Sequence, residues 1–333
     1  MDEKSLSRSE SLDIWTSGKQ IEGSYIDISK ELSESRDIPH RDESQVKLDT
    51  DRSYRYPGFD DSDCDALYNI IVSESRNRPV LRYYQGYHDI VQVLYSRCGY
   101  NCLKSLDYIT VCYLRDFMMS SFDPATVHLT VFMNLMRYAD QAVYRASQTV
   151  PIAAFALSPI ITWFSHDIQD LDLSHLLFDD ISQHESSIYV IYLYASFILS
   201  DNLVRGRILA EYYNMESQEQ ERSDNVLMIM TNLFRKPHNL PKQTKIAMSY
   251  AEDLFKSVPP NRSRVLSQVD PTSTLRGSSS DPESLLLTQV SRVNEKVYFI
   301  PENTTDPRSF WSGAFMMAAI AVGCAMYMTY AKR

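Results

Sequence analysis

Glycine is scarce in this 333-residue chain: nine are present, where average usage of about 7% would supply roughly 23. Neither G-x-x-x-x-G-K-[ST] nor G-x-G-x-x-G occurs. Both common glycine-rich phosphate cradles are therefore excluded, and a nucleotide would have to be met by side chains. So few glycines also favour helices over sheets with tight hairpin turns. A basic excess is missing too. There are 33 Lys+Arg against 43 Asp+Glu, a formal charge of −10, which argues against bulk binding of nucleic acid. The five cysteines, Cys64, Cys98, Cys102, Cys112 and Cys324, are odd in number and form no C-x-x-C pair. Reduced thiols packed in or near helices are the better expectation than zinc, and a reducing compartment fits. His128, His166, His175, His184 and His238 show no H-E-x-x-H or other metal spacing, so no metal site is expected. Ser158 and Ser165 lack a nucleophile-elbow pattern. The N-terminal MDEKSLSRSESLDIW has no apolar run of signal-peptide length. Internal repeats and coiled-coil heptads are not apparent.

A 44% hydrophobic fraction supplies a sizeable core and excludes a wholly disordered chain. Residues 1–43 are polar and charged, with sparse apolar positions. From Ser44 to Val258 the composition turns globular. Residues 259–308, beginning PPNRSRVLSQVDPTSTLRGSSSDPES, are dense in Pro, Ser, Thr and Asp and read as a flexible linker with one apolar patch, SLLLTQVSRVNEKVYFI. The expected fold is all-α. After Pro57-Gly58, the acidic run Asp60, Asp61 and Asp63 provides a cap and a negative first turn. Cys64, Leu67, Ile70 and Ile71 follow at helical spacing, and Arg78-Pro79 ends that region. Ile90, Val91, Val93 and Leu94 open a second apolar face. Leu103–Met119 and Val127–Tyr144 read as further helices. The stretch SSIYVIYLYASFILS is too long for a strand and is expected to be a fully buried helix.

From Ser309 to Ala331 there is no charged residue. Phe310–Ala331 would reach about 33 Å as a helix, enough to cross a hydrocarbon core. Trp311 stands at one end and Tyr327 and Tyr330 near the other, as interfacial rings would. Arg308 bounds the run on one side, Lys332 and Arg333 on the other. The expectation is a single-pass tail anchor over 309–331 with the rest of the chain in the cytosol. Its moderate hydrophobicity, rich in Ala, Met and Gly, suits a thin bilayer such as the endoplasmic reticulum.

Two short segments carry the chemistry: Val46-x-x-Asp49-x-x-Arg52, and Tyr83-x-Gln85-Gly86 within RYYQGYHD. They resemble the I-x-x-D-x-x-R and Y-x-Q-G motifs of the TBC-domain GTPase-activating proteins for Rab GTPases, in the family's order. A third segment, Phe155–Pro159, Thr162-Trp163-Phe164-Ser165-His166 and Leu177-Phe178-Asp179, is similar to a later family segment. The resemblance covers roughly residues 40–256. Together with HRDESQV, YLRDFM and the C-terminal span, it points to a member anchored in the endoplasmic reticulum. It implies a GTP-bound Rab as partner, early in the secretory pathway, and no cofactor beyond the GTP and Mg²⁺ that the Rab carries. Arg52 would be an arginine finger inserted in trans, and Gln85 a glutamine finger aligning the attacking water. Guanidinium is suited to this task because it is planar, always charged and bidentate. Asp49, three residues before Arg52, would share its helical face and hold the guanidinium or a nearby backbone group. Gly86 would allow close backbone approach. Tyr83 and Tyr84 would shape the loop, His88 and Asp89 would form a hydrogen-bonded support for it, and Trp163 is a further supporting or partner-binding candidate.

Arg55 is the nearest rival for the finger, three residues out of register. The Arg-x-x-x-Trp segment that usually precedes the arginine motif is reduced to Leu12-Asp13-Ile14-Trp15, so the domain's start is expected to be shortened or rearranged. The rival function is a catalytically inactive, membrane-anchored Rab-binding scaffold on the same fold. On the main reading the chain is a GTPase activator and not itself a hydrolase.

Overall fold

The fold is described from a computed structural model covering residues 38–150, 154–184, 186–235, 239–261, 264–266, 269–277 and 281–295. Among these residues every regular element is a helix, as the low glycine content leads one to expect. The candidate anchor over 309–331 and residues 1–37 lie outside the described residues. Among the described residues, no helix is long and apolar enough to cross a membrane.

The first helix, α1 (Glu43–Asp51), packs on α2 (Asp61–Asn77), and α2 on α3 (Tyr87–Cys98). Helix α2 starts where its carboxylates dictate. The Asp60 Oδ1 accepts the Ser62 amide at 2.7 Å and the Asp63 carboxylate accepts the Asp60 amide at 2.8 Å, a reciprocal capping box. Its buried face carries Cys64, Leu67, Ile70 and Ile71, the positions that the periodicity marks.

The next segment departs from the sequence reading. Leu103–Met119 is not one helix. It runs as α4 (Leu103–Ile109), a π-helical stretch (Thr110–Leu114) and a 3-10 turn (Arg115–Met118). The wider turn leaves Arg115 and Asp116 in the interior, 2% and 0% exposed. Val127–Tyr144 is likewise two helices, α5 (Asp123–Ala139) and α6 (Gln141–Ser147). Asp140 breaks them: its backbone is extended and its Oδ1 accepts the amides of Ala142 and Val143 at 3.0 Å each, starting a new helix.

The second half is built on α9 (Ile188–Leu199), whose twelve residues are all buried. It is packed by α5, α7 (Ala154–Ile161), α10 (Asn202–Tyr212) and α12 (Leu240–Ser257). Helix α11 (Glu219–Thr231) covers α7 and α10. The expectation of a buried helix holds because its polar atoms are satisfied within the core. Tyr189 donates to Asp180 at 3.0 Å and Tyr194 to the Phe155 carbonyl at 3.1 Å. Helix α8 (Leu171–Gln183) joins the two halves. Its Asp179 takes a two-toothed ion pair from Arg97 of α3, at 2.6 and 3.0 Å.

The reading of 259–308 as a flexible linker needs correction over its described part. Val265, Leu266, Val269, Leu275, Leu286 and Val293 are all buried, and α13 (Pro282–Asn294) packs on the π-helical stretch. The polar residues that suggest a linker are what the buried Arg115–Asp116 pair requires. Arg115 donates to Gln289 Oε1 at 2.7 Å and to the Thr272 carbonyl. Asp116 accepts from Ser273 Oγ at 2.6 Å, Gln289 Nε2 at 2.6 Å and His128 Nε2 at 3.0 Å. Burial alone would raise the Asp116 pKa, but His128, Arg115 and Ser273 bring it down to about 2. Arg78, after α2, adds an ion pair to Glu283 of α13 at 2.6 Å.

Candidate functional site

Arg52 stands at the C-terminal cap of α1, with its side chain 61% exposed. Its Nε donates to the Leu48 carbonyl at 2.9 Å and its Nη2 to Asp49 Oδ1 at 2.8 Å. The guanidinium is thus aimed by its own helix, while the remaining N–H groups face outward for an incoming acceptor. Asp49 is 2% exposed. A buried carboxylate needs partners, and it has three: Arg52, Gln45 Nε2 at 3.1 Å and the Tyr83 hydroxyl at 3.0 Å on Oδ2. The rival Arg55 is engaged elsewhere, donating to the Asp60 carbonyl at 2.7 Å and to Asp61 Oδ1 at 2.9 Å, where it steadies the start of α2.

The glutamine segment is an irregular strip between residue 81 and the start of α3. Helix α1 grips it at both ends. Near its N-terminus, Asp42 accepts Arg82 Nε at 2.9 Å, Arg82 Nη2 at 2.7 Å and the Tyr83 amide at 3.0 Å. Burial would raise the Asp42 pKa; Arg82 and the Tyr83 amide hold it below the usual carboxylate range. Near the C-terminus, Asp49 takes the Tyr83 hydroxyl. Tyr84 points the other way and donates to the Ile161 carbonyl at 2.8 Å. Burial raises the hydroxyl pKa of both tyrosines well above the ordinary value, so they stay neutral donors.

Gln85 follows, exposed, in a turn closed by the Tyr87 amide on the Tyr84 carbonyl at 3.2 Å. Among the described residues its side-chain amide makes no hydrogen bond. Gly86 has φ +108°, and a Cβ there would stand 2.7 Å from Thr162 Cγ2. Both the left-handed backbone and the close approach require glycine.

Below the turn, His88 Nδ1 lies 3.0 Å from the Tyr83 hydroxyl and His88 Nε2 lies 3.3 Å from Asp89 Oδ1. Asp89 Oδ2 accepts from His166 Nδ1 at 2.9 Å. His88 and Asp89 thus lie in contact, and Asp89 continues the contact to a third residue, His166. Burial pushes the Asp89 carboxyl up, yet the two imidazoles hold it below its ordinary value. The bond to Asp89 lifts His166 to about 9.

Trp163 does not reach a surface. It is 1% exposed and packs edge-on against Tyr113 and Phe178, at 5.5 and 5.3 Å between ring centroids. Of the two roles expected for it, burial favours the supporting one, in which the ring shapes residues 162–167 from within. Asp42 and the linking role of His166 were not legible in the sequence. Both act across long sequence separations, 40 and 77 residues, and no local spacing marks them. Among the described residues no group of three or more His, Cys, Asp or Glu side chains converges as a metal site.

Comparison with known proteins places this chain in a family. Residues 4–203 match the Rab-GTPase-TBC domain family. The match begins inside the polar N-terminal segment that composition sets apart. The chain is 31% identical over 181 residues to the GTPase-activating protein gyp10 of Schizosaccharomyces pombe, covering 52% of this chain and 47% of that one. It is 30% identical over 230 residues to TBC1 domain family member 20 of Mus musculus and of Homo sapiens, covering 66% of this chain and 53% of each relative. The chain thus spans about half the length of these curated relatives. With more than half of its residues inside the family match, the chain belongs to the Rab-GTPase-TBC domain family.

Proposed function

We propose that this chain is a GTPase-activating protein for a Rab GTPase of the early secretory pathway, supplying Arg52 and Gln85 in trans. One observation carries the reading: Asp49 holds Arg52 on one oxygen and Tyr83, two residues before Gln85, on the other. The two exposed side chains stand on segments tied together by one buried carboxylate. Hydrolysis of GTP spreads negative charge over the γ-phosphoryl oxygens and the leaving oxygen. A guanidinium inserted there stabilises the transition state, and a carboxamide beside it orients the attacking water. An arginine supplied in trans is worth about 10³–10⁵ in rate. The nucleotide and its Mg²⁺ belong to the GTPase, so the chain needs no cofactor of its own. The names of the relatives, GTPase-activating protein among them, support the same class of activity.

Single-turnover GTP hydrolysis on a panel of Rab GTPases tests this. Arg52→Ala should abolish nearly all stimulation and Gln85→Ala most of it. Stimulation of no Rab would overturn the reading, and tight Rab binding without a rate change would support the scaffold instead.

We further propose that 309–331 anchors the chain in the endoplasmic-reticulum membrane with residues 1–308 in the cytosol. The support is the uncharged run between Arg308 and Lys332. The sequons at Asn261-Arg262-Ser263 and Asn303-Thr304-Thr305 then stay unmodified in cells. An endoglycosidase-sensitive glycan on either would reverse the orientation.

A further inference from the structure

The Gln85 side chain has no hydrogen-bond partner among the described residues, so its position is set by its backbone. That backbone is moulded from two sides. On one side is α1, through Asp42 and Asp49. On the other is the turn after α7, residues 162–167. The end of α7 accepts Tyr84 through the Ile161 carbonyl, and the turn stands against Gly86 through Thr162 and holds the first turn of α3 through His166 and Asp89.

This second mould is itself costly to form. Trp163 and Phe164 have φ of 51° and 68°, left-handed values that non-glycine residues adopt only under constraint. Burial of both rings supplies the constraint: Phe164 is 0% exposed, against Phe197 and Phe234 at 5.5 and 5.8 Å. The double left-handed step turns the chain so that His166, two residues on, emerges beside Asp89 with its ring 39% exposed.

Polar contacts then link Asp49 to His166 through Tyr83, His88 and Asp89. Tyr83 has a single proton, and Asp49, as a carboxylate, only accepts. His88 Nδ1 must therefore donate to the tyrosine oxygen. Asp89 Oδ2 accepts from His166 Nδ1, and its Oδ1 lies 3.3 Å from His88 Nε2. Asp89 is therefore the junction between the Tyr83–His88 contact and the turn that carries His166.

We infer that His166 is a positioning residue for Gln85, fixing through Asp89 the turn that presents the carboxamide. This rests on the Rab-activating reading above. Misplacing a reacting group by about 1 Å costs on the order of 10² in rate. A loss at this position should therefore appear in the maximal stimulated rate and not in the affinity for the GTPase.

The test uses the full chain and a GTP-loaded Rab that the wild type stimulates. His166→Phe removes the donor. His166→Asn keeps an N–H close to the Nδ1 position. Expected is a maximal rate lower by about tenfold or more in H166F, with the half-saturating concentration within about twofold, and a rate near wild type in H166N. In a Gln85→Ala background H166F should add no further loss, because both changes remove one contribution. Hydrogen exchange of the 82–89 amides in the free chain should quicken in H166F and not in H166N. Should H166F fail to fold, Asp89→Asn carries the same expectations. Undiminished stimulation by folded H166F, an equal further loss in the Gln85→Ala background, or unchanged exchange would overturn the inference. If the wild type stimulates no Rab, the functional reading falls, and the exchange measurement still decides whether His166 holds the turn.

Discussion

Tyr83 donates its hydroxyl to Asp49 at 3.0 Å, while the other oxygen of Asp49 takes Arg52 at 2.8 Å. The arginine and glutamine motifs thus meet in one carboxylate that solvent scarcely touches. Either motif alone would leave a buried charge short of partners. Their co-occurrence in a sequence therefore has a physical basis: each satisfies part of the other.

Tyr83→Phe deletes that link without changing the ring. The expected cost is about 1–3 kcal/mol of unfolding free energy, since Asp49 Oδ2 and His88 Nδ1 both lose a partner. Urea unfolding measures it. The stimulated GTPase rate should fall more steeply than stability, because Arg52 and the Gln85 turn lose their common support.

Gly86→Ala meets two obstacles, the positive φ and the contact with Thr162 Cγ2. It should destabilise by roughly 1–3 kcal/mol, read as a lower Tm. Adding Thr162→Ser removes the obstructing methyl but leaves the backbone strain. The double variant should recover part of the loss and never all of it. Full recovery would show that only the clash matters.

Asp116→Ala should cost about 3–5 kcal/mol, since His128, Ser273 and Gln289 lose a buried acceptor and the nearby Arg115 loses a compensating charge. A chain ending at residue 258 removes Thr272, Ser273 and Gln289 together and should melt earlier for the same reason. An unchanged Tm for that truncation would mean that the segment from 264 to 294 merely lies on the surface.

The pair His166–Asp89 makes stability depend on pH. The hydrogen bond and charge of Asp89, aided by Asp167 and opposed by burial, raise His166 from 6.5 to about 9. The folded state holds that proton more tightly than the unfolded chain. The resulting stability is complete below about 6.5 and is lost as pH climbs through about 9. Asp89, lowered from its ordinary value, contributes above about 3.8 and loses its share in acid. Denaturation midpoints between pH 6 and pH 10 should fall for the wild type and flatten for H166N.

What the sequence disclosed was local. Asp60 and Asp63 cap α2 because a cap needs only residues three apart, and Leu67, Ile70 and Ile71 face inward because period and burial agree. Arg52 and Gln85, the proposed fingers, were marked by motif. Trp163 was marked by resemblance as supporting or partner-binding, and the sequence could not show its burial, which depends on Tyr113 and Phe178 from other elements. The segment after Val258 was misjudged for a subtler reason. Serine, threonine and glutamine usually signal solvent, but here Ser273, Thr272 and Gln289 serve a buried arginine and aspartate that the sequence does not reveal as buried. Asp140 misled in the opposite sense, as an acidic residue inside an apolar run that ends one helix and caps the next.

The docking of α13 has a mechanical meaning. Its Gln289 clasps Arg115 and Asp116, the first two residues of a short turn that ends at Met118, and the Met118 carbonyl receives the Arg82 amide at 2.7 Å. Three residues after Arg82 comes Gln85. A pull exerted on the polypeptide beyond residue 295 would therefore be transmitted, by way of one interior clasp and one peptide bond pairing, to the root of the loop that points outward.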